Sequence, residues 1–408
     1  MTEGADRMQG AGVDDDTRAL SGLRVLDLTQ VMAGPFCAMQ LCDMGADVIK
    51  VEPPEGDSTR RMSGAVGTDS HSFNAVNRGK RGIVLDLKSA LAREACLRLA
   101  RRADVLIENF RPGVMRRFGL DYEALAPECP GLIYASISGY GHTGPDAAKG
   151  GFDLVAQGAS GLISITGEPG GRPVKVGVPI TDLGAALFAT NAILAALLFR
   201  TRTGRGQFVD TSLLDAGVAL SVWESAEYFS GAGVPGPMGS AHRMSAPYQV
   251  VRCADGDITL ASANDRLFAR LCGLLGHPEW VDEPRYRNDT NRVKHRDQLA
   301  HDIEAVTMTR PRAEWLALFE RHGLPCGPIN TYDQVFADPQ VRARGLVVET
   351  SHPRLGRIQS LGAPVKMSVT PPFAGRRAPL LGEHTREVLG ELGYDEATIA
   401  VITGTDAL

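Results

Sequence analysis

Asp182 is the residue whose type and position best suit catalysis. It follows a short apolar stretch, residues 176–181, and precedes a long apolar run, residues 183–199. This order predicts that Asp182 lies where a strand passes into a buried helix, facing the unpaired N–H groups of the first helical turn. Such a site would keep the carboxylate ionised and would stabilise an oxyanion on it, as a carboxylate nucleophile requires. An ordinary N-cap is the alternative interpretation, because Asp is a favoured cap residue.

A second group of residues suited to ligand binding surrounds the segment 108–113. Asn109 and Arg111 could bind polar groups, and Phe110 offers an aromatic face for stacking. Further cations lie before this segment, at Arg78, Lys80, Arg81 and Lys88, and after it, at Arg116 and Arg117. In a chain that is acidic overall, these cations would suit a nucleotide ligand that carries phosphates. For each cluster the alternative is ordinary solvated surface charge.

Other familiar site motifs are incomplete or missing from the sequence. Residues 139–144 match the pattern GxGxxG, but Pro145 and Asp146 follow and no apolar helix begins there, which argues against classical dinucleotide binding. The nine histidines show no metal-ligand spacing, so we expect no metal site. No GxSxG segment is present, although a Ser–His–Asp constellation stays open on the sequence alone.

The composition is that of a globular chain without a strong charge bias. Of 408 residues, 43% are hydrophobic and 22% are charged, which favours two or three domains; the net charge of −5 argues against nucleic-acid and membrane partners. The seven cysteines form no CxxC pair, so we expect reduced thiols and a cytoplasmic location. Residues 1–19 are polar and acidic, which predicts a disordered leader. The apolar run is short for a membrane span and predicts a buried core helix.

The elements that must position these residues alternate between strand and helix. Strands are predicted at 24–28, 46–51, 82–87, 105–107 and 132–137, and helices at 35–44 and 90–102. This alternation predicts an α/β fold with a doubly wound, largely parallel, Rossmann-like sheet. Ligands bind such sheets at the carboxyl ends of the strands, and Asn109 directly follows one of them.

Composition divides the chain into domains. The large α/β domain is predicted at 20–223, and a smaller α+β domain at 224–330. The smaller domain starts with a Gly- and Pro-rich segment and contains a strand–turn–strand pattern at 248–260. Residues 331–408 end in a helix predicted from about His384, and we expect them to return and complete the large domain.

Taken together, these segments resemble the class III coenzyme A transferases, the CaiB–BaiF family of formyl-CoA:oxalate and carnitine-CoA transferases. The resemblance covers nearly the whole chain after the leader, and it implies an interlocked homodimer. The matching segments are 22–29 (GLRVLDLT), 45–52 (GADVIKVE), 77–88, 108–113 (ENFRPG), 139–145, 151–157 (GFDLVAQ), 203–207 (TGRGQ), 246–249 (APYQ) and 379–385 (PLLGEHT).

The resemblance assigns Asp182 to the family's catalytic aspartate position. It implies a CoA-transferase whose substrates are a donor acyl-CoA and an acceptor carboxylic acid, with no permanently bound cofactor. In the implied mechanism Asp182 attacks the donor thioester, and the CoA thiolate attacks the resulting anhydride to give an aspartyl-CoA thioester. The acceptor then takes over the CoA. Both intermediates would hydrolyse in contact with water, so the site must exclude it.

The same resemblance supplies a CoA site. Its residues are Met32, Ala33, Leu85, Lys88, Asn109, Phe110, Arg111, Arg117, Gly150, Gly151, Phe152 and Asp153, the last four nearer the thioester. One position departs from the family, which often has Arg where this chain has Pro53. The missing cation could be supplied by Arg60, Arg61 or Arg78.

Two other functions stay open beside CoA transfer. The α-methylacyl-CoA racemases share the fold and the aspartate, but they carry a histidine and a glutamate where this chain has Phe152 and Asn264. Racemisation by two bases needs a second titratable group, so both departures favour the transferase. The second alternative is a non-catalytic CoA-binding protein, against which the retained Asp182 argues.

The segment 239–248 resembles the region before the small-domain hairpin in transferases that use dicarboxylates. His242 or Arg243 could meet a distal carboxylate of the substrate there, or both could belong to an ordinary surface loop. On this basis succinyl-CoA is the predicted donor, and the acceptor acid stays open.

Overall fold

The computed structural model describes residues 17–62 and 64–404. Residues 1–16 of the predicted leader lie outside the described residues. The leader boundary at residue 19 is wrong, because Arg18 is buried and its guanidinium lies over the ring of Phe373, 5.0 Å from the ring centroid. This long-range contact is not visible in the local composition, which is polar up to Ala19.

The chain forms two compact units. The first contains the N-terminal part to Gly161, Val176–Val222 and the part from Pro339 onward; the second contains Leu162–Lys175 and Trp223–Asp338. The predicted small domain at 224–330 therefore lacks the segment Leu162–Lys175 and ends eight residues early. The segment belongs to the second unit because Gly239 N–H donates to the carbonyl of Gly167 at 2.8 Å, a contact that composition does not reveal.

A six-stranded parallel sheet forms the centre of the first unit. Its strands are β1 (Arg24–Asp27), β2 (Asp47–Glu52), β3 (Arg81–Val84), β4 (Val105–Glu108), β5 (Ile133–Ser138) and β6 (Gln207–Ser212). Their order is β3-β2-β1-β4-β5-β6, and every neighbouring pair is parallel. The predicted α/β fold with a doubly wound sheet is confirmed. The order reverses between β1 and β4, which is where such sheets bind ligands.

Helices cover both faces of this sheet. Numbered along the whole chain, the helices of the first unit are α1 (Ala33–Asp43), α2 (His71–Asn77), α3 (Ala90–Arg102), α4 (Val114–Phe118), α5 (Tyr122–Leu125), α6 (Asp153–Ala159), α8 (Ile180–Thr203), α9 (Leu213–Leu220), α16 (Pro339–Ala343), α17 (Thr385–Glu391) and α18 (Glu396–Thr403). Along β4, Val105 and Ile107 pack with α1, α8 and α9, whereas Leu106 packs with α3, α17 and α18. Side chains alternate along a strand, so each face of the sheet has its own apolar core.

The sequence locates five strands of the sheet and misses the sixth. Strand β6 pairs only with β5, at the edge of the sheet, and most of its residues are only partly buried or exposed. It therefore lacks the apolar run that identifies the other strands. The chain after α16 also contains an antiparallel hairpin that was not predicted, β10 (Val347–His352) and β11 (Gly356–Leu361). A 3₁₀ turn lies at Ser58–Arg61, earlier in the same unit.

Helix α8 is apolar around its whole circumference but buried on only one side. Its small residues Gly184, Ala185, Ala186 and Ala189 are buried in the core, as predicted. In contrast, Leu187, Phe188, Leu198 and Phe199 are exposed. Among the described helices, α8 is long and apolar enough to cross a membrane by length and composition, a test that core helices also pass.

The second unit is an α+β structure with its own core. Its antiparallel sheet contains β7 (Tyr248–Cys253), β8 (Gly256–Ala261) and β9 (Cys326–Pro328), so the predicted strand–turn–strand pattern is confirmed. Its helices are α7 (Leu162–Ile165), α10 (Val222–Phe229), α11 (Asp265–Leu275), α12 (Asp289–Lys294), α13 (Arg296–Thr307), α14 (Arg312–Arg321) and α15 (Tyr332–Ala337), with a 3₁₀ turn at Pro278–Val281. Buried aromatic residues fill the core, among them Phe268, Trp315 and Phe319.

Candidate active site

A cavity of about 290 Å³ lies at the carboxyl edge of the six-stranded sheet, entirely within the first unit. The loops after β1, β4 and β5 form it together with the first turns of α1, α8 and α9. Of the predicted site residues, it brings together Met32, Ala33, Asn109, Phe110, Arg111, Gly150, Gly151, Phe152 and Asp182. Nine residues that are far apart in the sequence therefore share one site.

Four predicted CoA residues do not line this cavity. Leu85 is buried in the core, and Lys88 and Arg117 are exposed outside the cavity. Asp153 lies next to the cavity but its carboxylate is bonded to neighbouring backbone and side chains. The assignment of these four residues to the CoA site stays a prediction.

Eight further lining residues were missed from the sequence. They are Gln30, Val31, Pro112, Ile137, Ser138, Gly139, Lys149 and Leu213. Most of them directly follow β1, β4 or β5 or end one of these strands, so the strand ends themselves were the signal that could have found them. Lys149 adds a cation near Arg111, although it is also paired with Asp146 at 2.7 Å.

Asp182 is the third residue of α8 rather than its cap. The helix begins at Ile180 directly after Pro179, so both the N-cap interpretation and the predicted strand at 176–181 are wrong. The segment cannot pair as a strand because Val176 N–H donates to the side chain of Gln157, at 2.9 Å. Asp182 nevertheless stays in the first helical turn, where it lines the cavity and is partly buried.

The carboxyl group of Asp182 has a raised pKa. Among the described residues it has no hydrogen-bond or ion-pair partner, and burial together with the nearby Asp153 raises its pKa to about 7. The prediction that the helix N-terminus keeps this group ionised is therefore wrong at acidic pH, because desolvation and a like charge outweigh the helix dipole. Near neutral pH a large fraction is an unpaired carboxylate, which is free to act as a nucleophile.

Asp153 connects the starts of α6 and α8. Its carboxylate accepts hydrogen bonds from Thr181 N–H at 3.0 Å, Thr181 Oγ1 at 2.8 Å and Gln157 Nε2 at 2.8 Å. These bonds fix the residue that precedes Asp182 and leave the Asp182 carboxyl group itself unbonded. Asp153 therefore acts on Asp182 through position and charge rather than through direct contact.

Glycines bring the chain close together around the cavity. A Cβ atom on Gly139 would lie 2.6 Å from the Cα atom of Gly151, so any side chain there would collide with backbone. A Cβ atom on Gly150 would lie 2.5 Å from Nη2 of Arg111. Glycine is therefore required at these positions by the close approach of the chain.

The loop after β4 has two different roles. Asn109 uses its side-chain amide inside the protein: its oxygen accepts from Gln30 N–H and its nitrogen donates to the Gln30 carbonyl, both at 2.8 Å. These bonds use one of the two N–H donors and one of the two oxygen lone pairs of the amide, so the assignment of Asn109 to the CoA site stays a prediction. Arg111 is exposed on the cavity lining and keeps its charge available.

Two of the three cations proposed to replace an arginine at Pro53 are not available. Arg60 is buried and makes two bonds to Glu52 at 2.7 Å, and Arg78 is buried and makes two bonds to Asp43 at 3.0 and 2.6 Å. Both guanidinium groups are engaged in buried ion pairs that stabilise the fold. Arg61 is exposed and donates to the carbonyl of Glu55 at 2.6 Å.

His242 and Arg243 lie in the second unit and are described within it. His242 stacks on Tyr248, with 4.8 Å between ring centroids. Arg243 lies 3.3 Å from Glu227 and donates to the carbonyl of Gly236 at 2.6 Å. The positive charge of Arg243 is therefore partly neutralised inside its own unit.

The described residues also bear on the alternatives from the sequence. Phe152 is 72% exposed on the cavity lining and offers no titratable group opposite Asp182. Asn264 caps α11 by accepting a hydrogen bond from Leu267 N–H at 3.0 Å. Among the residues that the structure describes, no three His, Cys, Asp or Glu side chains are grouped to hold a metal ion.

Comparison with known proteins identifies the class. The profile of CoA-transferase family III matches residues 20–385. A crystal structure of a CAIB/BAIF family protein from Brucella suis is 40% identical, with a TM-score of 0.82, and the match covers 92% of this chain and 100% of that one. The chain therefore belongs to CoA-transferase family III, and it is an enzyme that transfers CoA between carboxylic acids.

Two named relatives are similar over most of their length. The succinyl-CoA:glutarate CoA-transferase of Mus musculus is 42% identical over 388 residues, which cover 94% of this chain and 89% of that protein. The succinate--glutarate CoA-transferase of Agrobacterium fabrum is 42% identical over 387 residues, which cover 93% and 97%.

Proposed function

We propose that this enzyme transfers CoA from succinyl-CoA to a second carboxylic acid through a covalent aspartyl-CoA thioester on Asp182. The observation that carries the proposal is an unpaired, partly buried carboxyl group on the lining of a cavity at the strand ends. A carboxylate nucleophile needs an oxygen lone pair that can reach the substrate, and the unpaired carboxyl group of Asp182 offers one. The names of the two relatives supply the donor and suggest a dicarboxylic acceptor such as glutarate.

The proposed reaction needs only acyl transfers. An oxygen of Asp182 attacks the thioester carbonyl of succinyl-CoA, the C–S bond breaks, and a mixed anhydride and CoA thiolate form. The thiolate attacks the Asp182 carbonyl, succinate leaves, and the aspartyl-CoA thioester remains. The acceptor carboxylate attacks that thioester and expels the thiolate, which finally attacks the acceptor carbonyl and regenerates the Asp182 carboxylate. No proton or electron is gained or lost overall.

The residues of the cavity suit this sequence of steps. Gly139, Gly150 and Gly151 line the same cavity as Asp182 without side chains, so a thioester bound there would lie against backbone. Arg111 and Lys149 place positive charge at the same cavity, where the phosphates of CoA need cations. Lys88 and Arg117, exposed outside it, stay proposed contacts for the nucleotide end, and His242 and Arg243 stay proposed contacts for the distal carboxylate.

We also propose that the enzyme is the interlocked homodimer implied by the resemblance. In a single chain, α8 exposes Leu187, Phe188, Leu198 and Phe199, and the second unit exposes Phe229 and Tyr332 at 81% and 73%. Exposed apolar surface of this extent is typical of protein interfaces. Light scattering of the purified protein would measure the mass of the assembly, and a monomer would contradict the dimer.

All seven cysteines are free, which supports the proposed cytoplasmic location.

Intact-protein mass spectrometry tests the covalent chemistry. After mixing with succinyl-CoA, the protein should carry a hydroxylamine-sensitive CoA adduct that maps to Asp182. The matched control for Asp182→Asn is Asp395→Asn, which changes the cap of α18. It should keep the adduct, because Asn is an equally good cap. A protein that binds CoA but never forms the adduct would favour the non-catalytic alternative.

The racemase alternative has its own readout. The same incubation in D₂O with a branched acyl-CoA would introduce deuterium at the α-carbon if Asp182 acted in proton transfer. We expect no deuterium, because Phe152 supplies no second base. Deuterium incorporation without a CoA adduct would replace the transferase proposal with a racemase.

A further inference from the structure

The segment between β1 and α1 forms one wall of the cavity, and buried side chains fix its backbone. Gln30 and Val31 both line the cavity. The amide of Asn109 occupies both the N–H and the carbonyl of Gln30, at 2.8 Å each. The wall is therefore built from backbone that other residues hold in place.

Val31 has an unusual backbone conformation in this wall. It is the only non-glycine residue with a positive φ in the described part of the chain, at +69°. A β-branched side chain very rarely adopts this left-handed region, because its Cβ substituents crowd the backbone. Such a conformation persists only where the surroundings impose it, and it is common next to functional sites.

Asp57 is the residue that holds Val31 in this conformation. Its carboxylate is fully buried and accepts the Val31 N–H at 3.2 and 3.4 Å. It also accepts from Thr59 N–H at 2.9 Å and from Thr59 Oγ1 at 2.8 Å, which fixes its orientation. Asp57 itself is absent from the cavity lining, so its contact with the wall is made through Val31.

Lys50 connects Asp57 to the other end of the wall. Its ammonium group lies 3.3 Å from the Asp57 carboxylate and donates to the carbonyl of Thr29 at 2.8 Å. Both side chains are fully buried, so this ion pair is not weakened by solvent. Thr29 and Val31 are consequently held by the fully buried Lys50 and Asp57, and Gln30 by the half-buried Asn109.

We propose that Asp57 is a positioning residue for the acyl-CoA substrate, which acts by holding Val31 in the left-handed conformation and thereby fixing the cavity wall. This inference rests on the proposed function of the Asp182 cavity. The substrate contacts the wall and not Asp57, so loss of Asp57 weakens substrate binding more than the chemical steps at Asp182.

Asp57→Asn tests this role while keeping the shape of the side chain. The Asn amide nitrogen is a donor and would face Val31 N–H or Lys50, both of which are also donors. With succinyl-CoA and glutarate, we expect KM for succinyl-CoA to rise by about tenfold and kcat to fall by less than about threefold. An unchanged KM would overturn the positioning role.

A second substitution separates a positioning role from a general structural one. Val31→Gly lets the backbone adopt a positive φ without help from Asp57, so in the Val31→Gly background the effect of Asp57→Asn on KM should shrink to about threefold or less. An equal effect in both backgrounds would show that Asp57 does not act through Val31, and would overturn the inference.

Asp43→Asn is the matched control, because Asp43 is also a buried carboxylate in an ion pair, with Arg78, at the opposite end of α1. It should lower thermal stability without changing KM. If Asp57→Asn does not fold, Val31→Pro replaces it, since proline removes the N–H that Asp57 accepts and cannot adopt φ of +69°. Val31 is partly exposed, so this variant should fold and show the same rise in KM; an unchanged KM would overturn the inference.

Adduct formation by the wild-type protein distinguishes a failure of the proposed function from a failure of the positioning role of Asp57. If it forms no CoA adduct with succinyl-CoA, the proposed function fails. If it forms the adduct and the Asp57 and Val31 variants keep the wild-type KM, only the positioning role fails.

Discussion

Two carboxyl groups at the same edge of the sheet, one fully buried and one partly buried, have opposite electrostatic environments. Asp27, at the end of β1, is fully buried and bonded to Lys80 at 2.7 Å. Burial alone would raise its pKa, but Lys80, Lys50 and Thr29 outweigh it, and the pKa of Asp27 is lowered. Asp182, in the first turn of α8, has no cation and a carboxylate neighbour, and its pKa is raised to about 7.

The difference separates a carboxylate that holds the fold from the one that we propose to react. A paired carboxylate has its lone pairs occupied by donors, so it is a poor nucleophile but a strong tether. An unpaired one is costly to bury, and it persists where a substrate uses it. The same division applies to the cations: Lys80 and Arg60 are buried in ion pairs, whereas Arg111 is exposed at the cavity.

The largest expected effect comes from removing the reactive carboxylate. Asp182→Asn should reduce kcat by at least about a thousandfold while the protein folds normally, because the group makes no bond that the fold needs. Coupled assays of CoA transfer from succinyl-CoA would measure the rate, and circular dichroism would check the fold. Turnover that survives this change would remove Asp182 from the mechanism and end the contrast with Asp27.

The next effect concerns stability rather than rate. Lys80→Met leaves Asp27 buried without its cation, and we expect a loss of about 3–5 kcal/mol in the free energy of unfolding. The double variant Asp27→Asn/Lys80→Met should lose less than the single one, since no uncompensated charge remains. Urea denaturation measures both. Equal losses would show that the pair does not act as a unit.

A smaller effect is expected from the exposed cations. Arg111→Ala should raise KM for succinyl-CoA by roughly five- to tenfold, because a charge-assisted contact to a phosphate is lost. Lys88→Ala, outside the cavity, should raise KM by less than about threefold. Arg98→Ala, an exposed arginine on α3 that does not line the cavity, is the control and should leave KM unchanged. A larger rise in KM with Lys88→Ala than with Arg111→Ala would indicate that the nucleotide end of CoA binds outside this cavity.

The smallest expected effect is a change in pH dependence. Only the carboxylate form of Asp182 is nucleophilic, so kcat/KM should fall as the pH drops through about 7. Asp153→Asn removes the neighbouring charge that contributes to the raised pKa and should move this acidic limb to lower pH. The pH profiles of the two proteins provide the measurement. An unmoved limb would mean that burial alone sets the pKa of Asp182.

The succession of elements could be read from the sequence where local patterns are strong. The strands β1 to β5 carry apolar runs and α3 has a clear helical pattern, so their positions were predicted within a few residues. Strand β6 and the hairpin of β10 and β11 were missed because their residues are mostly partly exposed and lack such a run. The segment Leu162–Lys175 was misplaced because only a distant contact assigns it to the second unit.

The sequence predicted nine of the residues that line the cavity, but not the hydrogen bonds and ion pairs that these and neighbouring residues make. The sequence by itself determined the family and the parallel sheet and led to the prediction that Asp182 is the reactive residue, since these depend on residue order and local pattern. Tertiary structure alone decided which polar groups are free. It brought Asn109 to Gln30, Arg60 to Glu52 and Asp57 to Val31, and left Asp182 without a partner. Hydrogen bonds and desolvation depend on neighbours that are distant in the chain, so the ionisation of a carboxylate follows from the fold rather than from its local sequence.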